Sequence, residues 1–369
     1  MFHKFFLYLK NFDWILFLSV LLLICFGLAA IYSVALGQGA IDLLNFKKQI
    51  FFVIIGLLLL FCLAFLDYHL LRNYSNYFFI LAVILLLGVL VFGQTIHGTK
   101  GWFNIGSFGL QPIEFVKFVL ILFLARYFSS VSIKTNPLKH ILLTGSGLSI
   151  FLVLVLAQPD FGSGLILFLF WLAMITLIGL NKRYLLSMVL IIVAIIAGTW
   201  LFFFKDYQKE RIITFLNPSF SDSLDQSYNI SQAIIAVGSG RLTGRGIGFG
   251  SQSQLKFLPE AQTDFIFAVI AEESGFIGVC LVISFFAIFF YRCIHHLKKI
   301  NNDFGIFFIL SATCLLFIEM FINIGMNIGV LPVVGTSLPF LSYGGSAMIS
   351  SLMLVGVAES IIIRSKINY

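Results

Sequence analysis

The chain has 369 residues, 60% of them hydrophobic and only 11% charged, with a formal net charge of +7 and a mean hydropathy of +1.05. That composition excludes a water-soluble globule and identifies a polytopic membrane protein. The apolar runs are long and unbroken, which excludes the alternating pattern of a barrel strand, so the fold class is all-α.

The first run, 14–34, follows a short segment carrying Lys4 and Lys10 and is too long for a signal-peptide core. It is the first of ten expected transmembrane spans, at about 13–34, 49–66, 75–93, 112–129, 141–158, 162–181, 184–204, 264–291, 304–330 and 341–362. Lys10, Arg72, Arg126, Lys182, Arg183, Arg292, Lys298, Arg364 and Lys366 all fall on one face, whereas the opposite short loops hold only Lys47, Lys48 and Lys100. The positive-inside rule then puts both termini in the cytoplasm. Residues 1–369 read as one integral membrane domain with one long loop, 205–263, on the outer side between spans seven and eight. The five cysteines (Cys25, Cys62, Cys280, Cys293, Cys314) show no metal-ligand or paired spacing, so neither a disulfide nor a metal site is expected.

Span four opens with QPIEFVK, in which Glu114 and Lys117 share a helical face. Ionisable groups inside a span are costly and tend to be functional. The pair is either a structural ion pair or a lysine held ready for a phosphate by its glutamate. In QPDFGSG, Asp160 either caps span six or supplies a second carboxylate near the site. The long loop contains an amphipathic segment, 207–218, whose Arg211 is placed to meet an anion at the membrane surface, and a helical run, 225–240. Arg241, Arg245 and Lys256 are further loop cations. The glycine-dense GSGRLTGRGIGFG lacks the P-loop pattern and reads as a tightly turned segment.

The stretch 258–273, LPEAQTDFIFAVIAEE, carries four carboxylates in a chain poor in charge. Asp264 stands where the polar loop meets an apolar run, at a membrane surface; it is either a helix cap or a group that acts on a lipid-linked substrate. Glu260 lies one residue after Pro259 and is a further candidate. On a continuous helix Glu272 and Glu273 would lie roughly 12 Å deeper than Asp264, away from its site. They read as packing or gating groups, as do Glu319 and Glu359. Residues 323–346, rich in Gly, Pro and small polar side chains, form either a tight outer loop or a re-entrant wall.

QPIEFVK, QPDFGSG, YNISQAIIAVGSG, LPEAQTDFIFAVIAEE and LPVVGTSLPFLSYGGS, in this order and spacing, resemble the SEDS family (RodA, FtsW and SpoVE), its RodA branch most closely. The resemblance covers essentially the whole chain. The sequence departs from the family's pattern at Gln262, where His is common, and at Ile113, where a small residue is usual. The resemblance implies a peptidoglycan glycosyltransferase of the bacterial inner membrane. Such an enzyme polymerises lipid II onto a growing glycan strand during elongation, facing outward, beside a class B penicillin-binding protein acting as transpeptidase. It implies no nucleic-acid partner. The family's essential loop aspartate corresponds to Asp264, and its polar cavity residues to Glu114, Lys117 and Asp160. Asp264 then serves as general base, while Lys117 and Arg211 stabilise the departing undecaprenyl pyrophosphate with or without a divalent cation. A flippase for the same lipid, a division-type polymerase and a non-catalytic scaffold are the competing readings. Polar groups gathered at one surface, and the absence of duplicated broken helices, favour the enzyme.

Overall fold

The computed structural model describes residues 2–37, 43–96, 98–106, 108–131, 137–178 and 224–367. In chain order the helices are α1 (Phe2–Asn11), α2 (Trp14–Leu36), α3 (Leu44–Phe65), α4 (Tyr68–Phe92), α5 (Pro112–Ser130), α6 (Pro137–Ala157), α7 (Phe161–Leu177) and α8 (Leu224–Ser239). They continue with α9 (Ser251–Gln254), α10 (Ile266–Leu297), α11 (Asp303–Asn327) and α12 (Gly345–Ile367). Seven of these are long and apolar enough to cross a membrane. Nine of the ten expected spans fall on described helices; 184–204, and the amphipathic segment 207–218 with Arg211, lie outside the described residues.

Short polar side chains start several helices as the sequence pattern requires. The Asp13 carboxylate accepts from the Ile15 and Leu16 N–H groups, and Asp160 accepts from Ser163 N–H at the start of α7. Asp13 also ties three helices together at that end of the molecule. Its carboxylate meets Arg292 (2.8 Å) and His296 (2.5 Å) of α10, and its backbone N–H donates to Glu359 of α12 (3.0 Å). In the bundle α10 packs on α2 and α11, α12 on α3, and α5 between α4 and α11. Gly56 of α3 abuts Leu352, and Gly356 of α12 abuts the Leu60 backbone, so these two helices approach through small residues.

One departure from the all-helical expectation is a three-stranded antiparallel sheet after α4: β1 (Gln94–Ile96), β2 (Thr99–Ile105) and β3 (Phe108–Leu110). Two of its strands have only three residues, and the third, TKGWFNI, does not alternate apolar with polar, so the sequence shows no strand period. It rests on the end of α4, where the Lys100 ammonium donates to Leu90 O (2.7 Å) and Val91 O (3.3 Å), two last-turn carbonyls that the helix itself cannot satisfy.

The larger departure is in α10, which is broken at Gly275 (φ 64°, ψ −163°). The long loop fills the break. Arg245 N–H donates to Glu272 O (3.0 Å) and Gly246 N–H to Glu273 O (2.9 Å), while Phe276 N–H donates to Arg241 O (2.9 Å) and Ile277 N–H to Leu242 O (3.1 Å). Four backbone groups freed by the break thus find partners in protein, as the edge of a bilayer demands. This explains the glycines: a Cβ on Gly240 would lie 1.8 Å from Ala271 O, and one on Gly244 2.1 Å from Glu273 O. The break also corrects the expected depth of Glu273. Glu273 bonds Ser33, about 29 Å along α2, and the Asp264 backbone bonds Asn323, about 30 Å along α11. The first part of α10 therefore runs across the end of the bundle, with Asp264 and Glu273 at similar height. Beyond the break, 276–297 extends about 33 Å, enough to cross a membrane by itself.

Gly275→Ala forces a side chain into a glycine-only backbone region and puts its Cβ 2.2 Å from Gly244 N, with a backbone cost of about 1–3 kcal/mol. The expected outcome is a lower thermal midpoint in detergent and faster trypsin cleavage at Arg241 and Arg245. Cleavage at the parental rate would contradict the docking of the loop in the break.

Candidate active site

Asp264 sits just before α10, half-buried, and the residue at the helix cap is Phe265. Its position is set by the backbone around it. Tyr343 N–H donates to Gln262 O (2.8 Å), the Ser342 hydroxyl donates to Thr263 O (2.6 Å), and the Asn323 and Asn327 amides both donate to Asp264 O (3.0 and 2.9 Å). Three successive carbonyls are thus held by side chains or backbone of α11 and the loop before α12. Asn323 also donates to Thr336 O (2.6 Å), and Asn327 accepts from Ala268 N–H (3.0 Å), so the two amides lock the loop, α11 and the start of α10 into one block. Gly335 (φ 72°) passes beside the carboxylate: a Cβ there would stand 3.6 Å from Asp264 Oδ2.

One turn before Asn323 on α11, Glu319 reaches α5. The Lys117 ammonium lies 2.7 Å from Glu114 Oε1 and 2.7 Å from Glu319 Oε1, and all three residues are buried. The Ser350 hydroxyl of α12 donates to Glu114 O (2.8 Å), and Ser346 accepts from Gln111 N–H (2.9 Å), which fixes the start of α5 against α12. Glu319, Asn323 and Asn327 recur every four residues, so one polar face of α11 holds Lys117 at one level and the Asp264 backbone at the next. Among the described residues no three His, Cys, Asp or Glu side chains converge as a metal ion would require.

A family model described as cell cycle protein, covering FtsW, RodA and SpoVE, matches residues 13–367. The chain belongs to this family. It is 35% identical over 347 residues to the peptidoglycan glycosyltransferase MrdB of Escherichia coli K12, covering 93% of this chain and 91% of that one. It is equally 35% identical, over 358 residues, to stage V sporulation protein E of Bacillus subtilis 168, covering 94% and 95%. Among solved structures, a chain from a peptidoglycan synthase complex, described for its coordination of polymerization and crosslinking, matches with a TM-score of 0.79 at 27% identity, over 96% of this chain and 98% of that one. RodA of Thermus thermophilus matches with a TM-score of 0.69 at 25% identity, over 97% and 98%.

Within this family fold the sequence motifs converge at one end of the bundle. Glu114 and Lys117 form the expected pair, and Glu319, read from sequence as an isolated packing group, proves to be its third member. Asp160 caps α7, and two residues later Gly162 abuts Val334 O, so the QPDFGSG turn and Asp264 flank the same loop. Glu260, exposed and in a left-handed conformation (φ 51°), accepts from the Thr263 hydroxyl (2.8 Å) at the rim beside Asp264. Arg211 lies outside the described residues. Gln262 accepts from the Asn45 amide (2.9 Å), a bond that any neutral acceptor can make. Glu272 and Glu273 are not at this site: they accept backbone N–H groups of Gln252, Ser253 and Gly248 and hold the loop in place.

Sequence reasoning missed Asn323 and Asn327 as site-builders. The available signal was their four-residue spacing from Glu319 in an otherwise apolar helix. Lys117→Met leaves Glu114 and Glu319 facing each other without a cation, which costs about 3–5 kcal/mol of stability. Thermal unfolding in detergent checks this, and Lys117→Met combined with Glu319→Met should recover part of the loss.

Proposed function

We propose that this protein is a peptidoglycan glycosyltransferase that extends glycan strands from lipid II during cell elongation, with Asp264 as general base. The observation that carries this reading is the rigid presentation of Asp264. The carbonyls of residues 262–264 are all engaged, so its backbone is fixed while its half-buried carboxylate stays where loop meets helix. Glycan elongation requires the acceptor sugar's 4-hydroxyl to attack the anomeric carbon of a second sugar. Asp264 takes the hydroxyl proton as the new C–O bond forms, and the bond from the anomeric carbon to the pyrophosphate oxygen breaks. The electron pair leaves with undecaprenyl pyrophosphate.

Lys117 is assigned to the leaving pyrophosphate. An ammonium group has three N–H donors, and Glu114 and Glu319 take two, which leaves one for an anion. Arg211 is assigned the same task on sequence grounds. Asp160, in the turn that abuts Val334, and Glu260, bonded to Thr263, are assigned to sugar hydroxyls. The lipid tail is assigned to an apolar groove of about 470 Å³ between α7 and α11, lined by Leu165, Leu169, Leu172, Phe317 and Phe321 and reaching Val334 beside the site. The crowding of Arg and Lys at the Asp13 end supports cytoplasmic termini and a site facing outward from the inner membrane. The likeness to a synthase complex chain supports a class B penicillin-binding protein as partner. Transport gains no support from the buried charged groups: among the described residues they gather at the two ends of the bundle, the Lys117 triad at one and the Asp13 cluster at the other, and do not line a path between them.

The test is glycan formation from purified lipid II by the reconstituted full chain with its transpeptidase partner. Asp264→Asn keeps the shape and should lower the rate by about 10²–10⁴-fold with an unchanged thermal midpoint. A fully active Asp264→Asn would remove Asp264 as base, and an inactive parent protein would favour transport or scaffolding.

A further inference from the structure

The loop that fills the break in α10 turns its side chains away from the protein. Leu242 is 69% exposed, Ile247 61% and Phe249 77%, and Arg241 and Arg245 are exposed beside them. A flexible loop could bury such residues by folding back, but this one is fixed. Arg241, Leu242, Arg245 and Gly246 are bonded through their backbones to both sides of the break. Gly248 N–H donates to the Ser33 hydroxyl (2.8 Å), which pins the chain between Ile247 and Phe249. The loop's own contacts thus hold three large apolar groups outward.

Two observations say what covers them. The first is height: Ser33 lies three residues before the end of α2, about 29 Å from its start, which is close to the thickness of a hydrocarbon core. The second is continuity. Leu242 bonds the backbone of Ile277, and Phe276 and Ile277 are themselves exposed, the first residues of an outward apolar face that continues through Leu281 on the spanning part of α10. The loop's apolar side chains therefore extend the lipid-facing surface past the helix break. Its charge also fits a lipid headgroup region. Both exposed ionic groups in 241–249 are arginines, and the nearby Glu272 and Glu273 are buried and occupied by loop N–H groups. Ser251 holds the Arg245 guanidinium (2.6 Å), which leaves other N–H donors for an external oxygen acceptor.

We propose that 241–249 is a bilayer-interface anchor: Leu242, Ile247 and Phe249 enter the acyl-chain boundary on the Asp264 side, and Arg241 and Arg245 bind lipid phosphates. Amphipathic segments of this composition lie in that plane, with cations reaching to headgroups. The anchor holds the broken part of α10, and with it Asp264, at the membrane surface. It depends on the chain being embedded in a membrane and not on the reaction assigned to Asp264.

The test uses the full chain with a photoreactive benzoylphenylalanine at Phe249, reconstituted in vesicles of phosphatidylethanolamine and phosphatidylglycerol. The same probe at Ile283, on the outward face of α10, marks a lipid-facing position and reports that the protein is folded; at Asn301, in the loop at the opposite end, it marks water. After irradiation, mass spectrometry should find phospholipid adducts at 249 within about threefold of those at 283 and about tenfold above those at 301. Yields at 249 equal to those at 301 would overturn the proposal. Adducts at 249 only to protein, whether to this chain or to an added transpeptidase, would also overturn it and mark the surface as a protein interface. Arg241→Gln with Arg245→Gln should lower the phospholipid phosphorus retained through detergent extraction, and unchanged retention would overturn the phosphate contacts.

Discussion

Backbone N–H and C=O groups at the edge of a membrane must be satisfied by protein wherever a helix does not satisfy them, and the stretch 258–276 contains an unusual number of such groups. The solution is a set of intersecting insertions. The glycine-rich loop supplies partners on both sides of the break at Gly275, and the Asn323 and Asn327 amides with the 342–343 backbone and hydroxyl hold the carbonyls of residues 262–264. The placement of Asp264 depends on that pairing, because it converts an irregular chain into a rigid one. A carboxylate on a mobile loop would spend little of its time in reach of a sugar hydroxyl, whereas one on a backbone fixed by four hydrogen bonds is already placed.

The same helix that fixes Asp264 also carries the counter-charge for Lys117. Glu319 and Asn323 are one turn apart, so a shift of α11 would move the ammonium group and the Asp264 backbone together. The Lys117 triad is costly to bury and is sustained by two carboxylates at 2.7 Å, an arrangement that places the charge firmly more than it adds net stability. At the opposite end, Asp13 performs an analogous task for α2, α10 and α12 with Arg292, His296 and Glu359. Charged groups at both ends fix helices whose apolar surfaces alone would permit sliding, since lipid and side chains are equally apolar.

The sequence by itself determined the all-α polytopic class, because a hydrocarbon core imposes a length and composition that few other structures share. It also determined the family, through five motifs in fixed order, and the pairing of Glu114 with Lys117, which a three-residue spacing on a helix enforces. Local patterns could not reveal the break at Gly275: apart from Asp264 and Glu272–Ser274 the run 264–291 is largely apolar, and a glycine inside a helix usually continues it. The role of GSGRLTGRGIGFG was equally hidden, since its glycines answer to a backbone some thirty residues away. Glu319 looked isolated for the same reason, its partner lying 202 residues earlier in the chain. What only the tertiary structure decided is which distant groups complete one another: that Glu272 and Glu273 take the N–H groups of the glycine-rich loop and its continuation, and that two asparagines of α11 hold Asp264. Hydrogen bonds and ion pairs between remote segments leave no period in a sequence, because each partner's spacing is set by the path of the chain in space.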